Sequence, residues 1–272
     1  MSTTTSTALH HLLRIAVHAK ALAVLVASWL GLRPSPDQSS PFYVFLAPEA
    51  HAINTARQDH LASLGLDFME KTVLEVGAGI GLHTPFFLQR GCKVLVTDGN
   101  TENVIEVRRR QPGWRAEVLD LERGDDLRHL GEFDFVYCYG LLYHLGGPEK
   151  AIARLAEVCR GQILLETCVA LGDMPDVHFV RDPRSQNQAV SGIGCRPTRA
   201  WVMDMLRRYF GHAYAALAQP DHPDFPTDWT LPEAQLNYRA VFIGSKSRLD
   251  LPTLVGEPPQ LQARFKSRAD PR

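Results

Sequence analysis

From Lys71 onward the chain alternates short apolar runs with stretches of helical character, and this rhythm narrows the folds open to it. KTVLEV (71–76), CKVLVT (92–97), RAEVLD (115–120), FDFVYCY (133–139) and QILLET (162–167) read as strands. Helical segments are expected between them, at 81–90, 101–110, 124–130 and 148–160. Such alternation predicts a parallel sheet covered by helices on both faces. The strands are continuously apolar, as strands buried on both faces should be. After residue 167 the rhythm breaks. A loop-rich stretch (168–196) precedes a helix at 198–209, and AYAALA (213–218) and YRAVFIGS (238–245) read as a closing pair of strands around a Pro-rich loop.

The flanks read differently. Residues 8–32 read as a helix, and 33–48 are rich in Pro and Ser and read as a linker. A helix at 49–64 leads into the main domain. The layout expected is therefore an N-terminal helix and linker (1–48), a domain (49–247) and a mobile Pro-rich, charged tail (248–272). For residues 8–32 three readings compete: a signal peptide fits the apolar stretch, but no A-x-A cleavage site follows it, and two more stay open. The helix packs on the domain or on a second subunit of a homodimer, or it associates with a membrane; His18 and Lys20 interrupt the apolar run that a spanning helix needs.

Composition excludes more than it selects. With 272 residues, 45% apolar and 22% charged, the chain can bury a substantial core. A net charge of −1 argues against a nucleic-acid acceptor and favours a small molecule. Cysteines 92, 138, 159, 168 and 195 show no CxxC spacing, so they read as buried thiols of a reducing, cytoplasmic setting, with no metal site. Neither HExxH nor GxSxG occurs.

The chemistry concentrates where the first strand ends. Val73-Leu74-Glu75-Val76-Gly77-Ala78-Gly79-Ile80-Gly81 is a strand running into a glycine-rich turn. Glycines let the backbone turn sharply and let a ligand approach closely, and ligands of open α/β sheets bind at the carboxyl ends of the strands. The dinucleotide fingerprint GxGxxG is not matched: the spacing is GxGxG, and position 82 is Leu. Glu75 places an acid two residues before the first glycine. That is unhelpful for a phosphate and compatible with a cationic ligand. An NAD-type oxidoreductase and a non-catalytic cofactor-binding subunit remain as alternatives.

E-V-G-A-G-I-G resembles motif I of the class I S-adenosylmethionine-dependent methyltransferases, and later landmarks fall in order. The resemblance implies a Rossmann-like α/β fold with a seven-stranded, mostly parallel sheet, helices on both faces, an antiparallel last strand (YRAVFIGS) and, here, an N-terminal helical extension. It implies that S-adenosylmethionine is the cofactor, held by Glu75, Gly77, Ala78, Gly79 and Gly81. Asp98 and Gly99, after the second strand, would meet the ribose hydroxyls. Asp120 and Leu121, after the third, would meet the adenine. Tyr139, Tyr143 and His144 lie past the fourth strand, where the transferred methyl is expected. YGLLYH is also similar to relatives that modify the wobble uridine of tRNA through a carboxymethyl group.

Catalytic candidates follow from placement. His144 titrates near neutrality and suits a general base, or it packs on the cofactor; Tyr143 and Glu166 stand beside it as further candidates. The stretch 166–201 is expected to fold over the pocket as an acceptor lid. His178, Arg196 and Arg199 would bind the acceptor, two guanidiniums being suited to a carboxylate or phosphate.

Overall fold

A computed structural model of the chain describes residues 39–124, 126–182, 191–230 and 238–266. The expected helix at 8–32 lies outside the described residues. The chain divides into two units, Met1–Tyr43 and Val44–Arg272, and the fold below is that of the second. Among the described residues no helix is long and apolar enough to cross a membrane.

Every expected strand of the main rhythm forms. β1 (Thr72–Val76), β2 (Lys93–Asp98), β3 (Arg115–Val118), β4 (Phe133–Tyr139) and β5 (Cys159–Val169) pair in parallel. Helix α1 (Pro48–Ser63) precedes them; α2 (Thr84–Leu88), α3 (Thr101–Arg110) and α4 (Pro148–Val158) connect them. Two further strands, β6 (Val177–Arg181) and β7 (Ile193–Pro197), form a separate antiparallel hairpin. Helix α5 (Arg199–Phe210) then leads to β8 (His212–Ala216), and β10 (Tyr238–Ser245) inserts antiparallel between β5 and β8. Short strands β9 (Ala218–Gln219), β11 (Leu254–Val255) and β12 (Ala263–Arg264) complete the chain.

The main sheet runs β11-β8-β10-β5-β4-β1-β2-β3. The chain builds outward from β1 through β2 to β3, then returns to the other side of β1 with β4 and β5. The glycine turn after β1 therefore sits at the switch point, where a crevice opens. Cores line both faces: Leu74, Val136, Ile152, Leu155 and Phe242 on one, Val73, Phe87, Phe135, Leu164 and Ile243 on the other.

Local chemistry sets the boundaries. Asn100 caps α3, its side chain accepting from Glu102 N at 2.9 Å, and Thr198 caps α5 by accepting from Trp201 N at 3.2 Å. Arg109 and Arg110 at the C-terminal end of α3 both pair with Glu106, at 2.7 and 3.0 Å. The expected helix at 81–90 shrinks to Thr84–Leu88, because Gly79 and Gly81 hold left-handed φ angles of 56° and 78°.

The expected mostly parallel sheet with its antiparallel closing strand forms, and the two-residue β11 adds an eighth strand by pairing with β8. Two expectations are corrected. The loop-rich stretch 168–196 contains the β6–β7 hairpin. The tail is not a loose end as far as Lys266: Thr253 Oγ1 donates to Leu64 O at 2.6 Å, Arg199 Nη1 donates to Pro259 O at 2.7 Å, and Trp229 Nε1 donates to Gln262 Oε1 at 2.6 Å. These part-buried polar contacts, with the two-residue strands β11 and β12, hold a Pro-rich segment in place.

Gly244 in β10 lets α5 lie close against the sheet. A Cβ there would meet Ile163 Cγ2 at 2.8 Å, Leu206 Cδ2 at 3.0 Å and Phe210 Cδ2 at 3.1 Å. Gly244→Ala is expected to destabilise the domain by about 1–3 kcal/mol through overpacking, read as a lowered urea midpoint. An unchanged midpoint would show that α5 can shift without loss.

Candidate active site

The crevice above β1 holds two chambers that share Phe45, Gly77 and Gly140 in their walls. The first, about 70 Å³, is lined by Asp98, Gly99, Leu119, Asp120, Leu121, Leu141, His144 and Leu145. The second, about 170 Å³, is reached by Arg57, Ala78, Gly79, His83, Tyr139, Tyr143 and Arg239. Phe45, in the helical turn Tyr43–Leu46, lies on the glycine turn: a Cβ on Gly79 would come within 2.6 Å of its ring. Neither chamber alone reaches the few hundred Å³ that a cofactor-sized ligand fills. Phe45 stands in the wall common to both.

The turn and its acids are braced by hydrogen bonds. Gly79 N donates to Asp98 Oδ2 at 2.8 Å, while Asn100 N and Asn103 Nδ2 donate to Asp98 Oδ1 at 2.8 and 3.1 Å. This fixes the Asp98 carboxylate at the mouth of the first chamber, and burial holds its pKa above the ordinary carboxylate value. Asp120 accepts from Glu122 N at 2.9 Å and lines the same wall. Glu75 lines neither chamber. It is buried, accepts from Thr84 Oγ1 at 2.6 Å, and burial pushes its pKa up to about 7. Gly81 faces Trp114, whose ring would sit 3.0 Å from an added Cβ, so its contribution is to packing.

The second chamber contains groups that no local pattern announces. Arg57 Nη2 donates to Glu166 Oε2 at 2.7 Å, and Arg239 Nη1 donates to Glu166 Oε1 at 3.1 Å. Arg239 Nη2 also donates to Tyr143 OH at 3.2 Å, and its guanidinium lies over the Tyr143 ring. Asp224 lies 3.6 Å from Arg239 Nε, so the two guanidiniums are balanced by two carboxylates, one buried and one partly exposed. Tyr139 stacks on Tyr137 with ring centroids 4.4 Å apart, and its hydroxyl finds no hydrogen-bond partner among the described residues. His83 Nδ1 and Tyr137 OH lie 2.6 Å apart. Burial, reinforced by Arg57, lowers the His83 pKa to about 3, so this ring stays neutral.

Several expected roles are corrected. Glu166 is the counter-ion of two arginines; both its oxygens are engaged, so it is not available as a base. Arg199 points to the tail, bonded to Pro259 O and Gln260 Oε1 and stacked over Trp229, and lines neither chamber. His178 is exposed on β6, 3.6 Å from Asp176, and also lines neither chamber. Arg196 reaches the site only indirectly, donating from Nη1 to Tyr143 O at 3.3 Å. The sequence reading passed over Phe45, Arg57, His83, Asp182 and Arg239.

Removing the carboxylate of Glu166 leaves two buried guanidiniums facing each other. Glu166→Gln is expected to cost about 3–5 kcal/mol of stability, measured by chemical denaturation. A change under about 1 kcal/mol would mean that water or another acid compensates the arginines.

Comparison with known proteins agrees with this geometry. Residues 74–162 match the family model of a methyltransferase domain. A tRNA U34 carboxymethyltransferase of Actinobacillus succinogenes is 34% identical over 121 residues, covering 42% of this chain and 36% of the relative. The protein of the same name from Mannheimia succiniciproducens is 32% identical over 156 residues, covering 55% and 46%. The chain thus spans less than half the length of these curated relatives. Among solved structures, the N-terminal domain of EvdMO1, in the presence of SAH and D-fucose, aligns with a TM-score of 0.52 at 22% identity, covering 77% of this chain and 84% of that one. It shares the fold. The relatives overturn one expectation. Proteins named for action on tRNA lie this near in sequence, so a small-molecule acceptor and the argument against nucleic acid do not stand. Net charge sums over the whole surface and does not report on one cleft. The match of residues 74–162, the ordered turn and acids, and the fold agree: the chain carries a methyltransferase domain similar to those of the class I S-adenosylmethionine-dependent methyltransferases.

Proposed function

We propose that this chain transfers a methyl group from S-adenosylmethionine to a nucleobase of an RNA of the tRNA class. The observation that carries the transfer reading is Asp98, fixed by three protein donors at the carboxyl end of β2 and facing the first chamber. In this reading the ribose hydroxyls donate to Asp98, the adenine lies along Asp120 and Leu121, and the amino-acid end of the cofactor follows Gly77, Ala78 and Gly79 into the second chamber. The sulfonium is already a good leaving group, so the protein's task is to position the acceptor and exclude water. The acceptor class is supported by the names of the curated relatives.

A second reading has its own support. The guanidiniums of Arg57 and Arg239, which reach the second chamber beside Tyr143, suit a transferred group that itself bears a carboxylate, such as a carboxymethyl group.

Asp98→Ala is expected to weaken S-adenosylmethionine binding at least about tenfold, since it removes charge-assisted hydrogen bonds; unchanged affinity by calorimetry places the ribose elsewhere. Labelled-methyl transfer in fractionated extract is expected to mark the RNA fraction. Label confined to other fractions overturns the acceptor, and transfer only from a carboxymethyl-bearing donor establishes the second reading.

A further inference from the structure

The 3₁₀ turn Leu142–His144 is gripped from outside by the β6–β7 hairpin. Cys195 Sγ donates to Leu142 O at 3.3 Å, and Arg196 Nη1 reaches Tyr143 O. A Cβ on Gly194 would stand 2.5 Å from Tyr143 O and 3.1 Å from Asp182 Oδ2, so β7 lies against the turn with no room for a side chain. Asp182 follows β6 directly, and its backbone N donates to Gly192 O at 3.0 Å, which fixes its direction across the hairpin. Its Oδ2 meets His144 Nδ1 in a short hydrogen bond.

We propose that Asp182 is the positioning residue of an Asp182–His144 pair, in which His144 Nε2 takes the proton from the methyl acceptor. This rests on the transfer reading above. An ionised carboxylate can only accept, so the ring proton sits on Nδ1 and the lone pair is on Nε2. Nε2 has no hydrogen-bond partner among the described residues, and the ring lines the first chamber beside Gly140 and Leu141. As the acceptor atom forms its bond to the methyl carbon, the carbon–sulfur bond breaks and its electron pair stays on sulfur, giving a neutral thioether. The acceptor proton passes to Nε2. The cofactor loses its positive charge, the imidazole gains one, and the Asp182 carboxylate stands against it.

The groups that bear on His144 come from several elements: Asp182 after β6, Arg196 in β7 and Arg239 in β10, with the Tyr143 ring 4.0 Å away by centroid and Asp98 and Asp120 across the chamber. Burial lowers its pKa below the ordinary value, and Asp182 opposes that shift. The free ring is therefore neutral near pH 7 and able to accept.

The test is the pH dependence of single-turnover methyl transfer, with cofactor affinity measured in parallel on the full chain. Wild type is expected to lose rate on the acid side as His144 protonates. Removing the anion lowers the imidazole pKa, so Asp182→Asn should move that limb to lower pH. It should also reduce the plateau rate at least about tenfold and leave S-adenosylmethionine affinity within about twofold. Asp182→Glu should restore part of the rate, and His144→Ala should abolish the limb with a loss of roughly a hundredfold or more. An unmoved limb in Asp182→Asn overturns the proposal, whether or not the rate falls, because a hairpin anchor alone would not shift it. Affinity and rate falling together in both variants also overturn it, since that marks His144 as a packing surface for the cofactor. Absence of transfer by wild type with bound cofactor instead overturns the transfer reading, which keeps the two failures apart.

Discussion

One buried carboxylate ties together the parts of this domain that have no other reason to meet. Glu166, at the end of β5, holds Arg57 of α1 on one oxygen and Arg239 of β10 on the other. The partners lie 109 and 73 residues away in sequence. Burying these charges is favourable only as a set, because each guanidinium alone would be a large desolvation cost. The set fixes the helix that enters the domain, the centre of the sheet and the antiparallel strand that closes it. It also fixes Tyr143, whose hydroxyl accepts from Arg239 Nη2. The second chamber is shaped by this network as much as by the glycine turn.

The glycine turn has a different logic. Its φ angles need glycine at 77, 79 and 81, but only the first two face the crevice. Gly81 makes room for Trp114. One short motif thus combines ligand approach with core packing, and a pattern match alone does not separate them. Glu75 shows the same division: it is buried, and its partner is Thr84, nine residues on, which ties the end of β1 to the start of α2.

What could be read from sequence follows from how far each signal reaches. The five parallel strands were legible because burial on both faces writes an unbroken apolar run, and the acids after β2 and β3 were legible because they sit at strand ends. The β6–β7 hairpin was not. VHFVR is mostly exposed, and IGCRP, though largely buried, is broken by Gly, Arg and Pro, so neither carries such a run. Arg57 and Arg239 gave no local cue, one lying in a polar helix and the other at the start of an apolar strand. Asp182 has meaning only through His144, 38 residues earlier. Phe45 was hidden in a segment whose prolines and serines read as linker. Arg199 and His178 were singled out by residue type, and the contacts they make belong to the tail and to the outer face of the hairpin.

The two ends of the main sheet also differ. An open strand edge presents unpaired backbone groups to which another chain can add, which makes it a site of aggregation. At one end the edge is β3, only four residues long, and its outward-reaching Arg115 and Glu117 pair with each other at 3.0 Å. At the other end β8, His212 to Ala216, would offer a more apolar edge, had the tail not returned to lay Leu254 and Val255 along its Ala215 and Ala216. The tail segment that composition marks as mobile therefore guards the sheet against its own kind, and a chain cut before it would expose a template for intermolecular pairing.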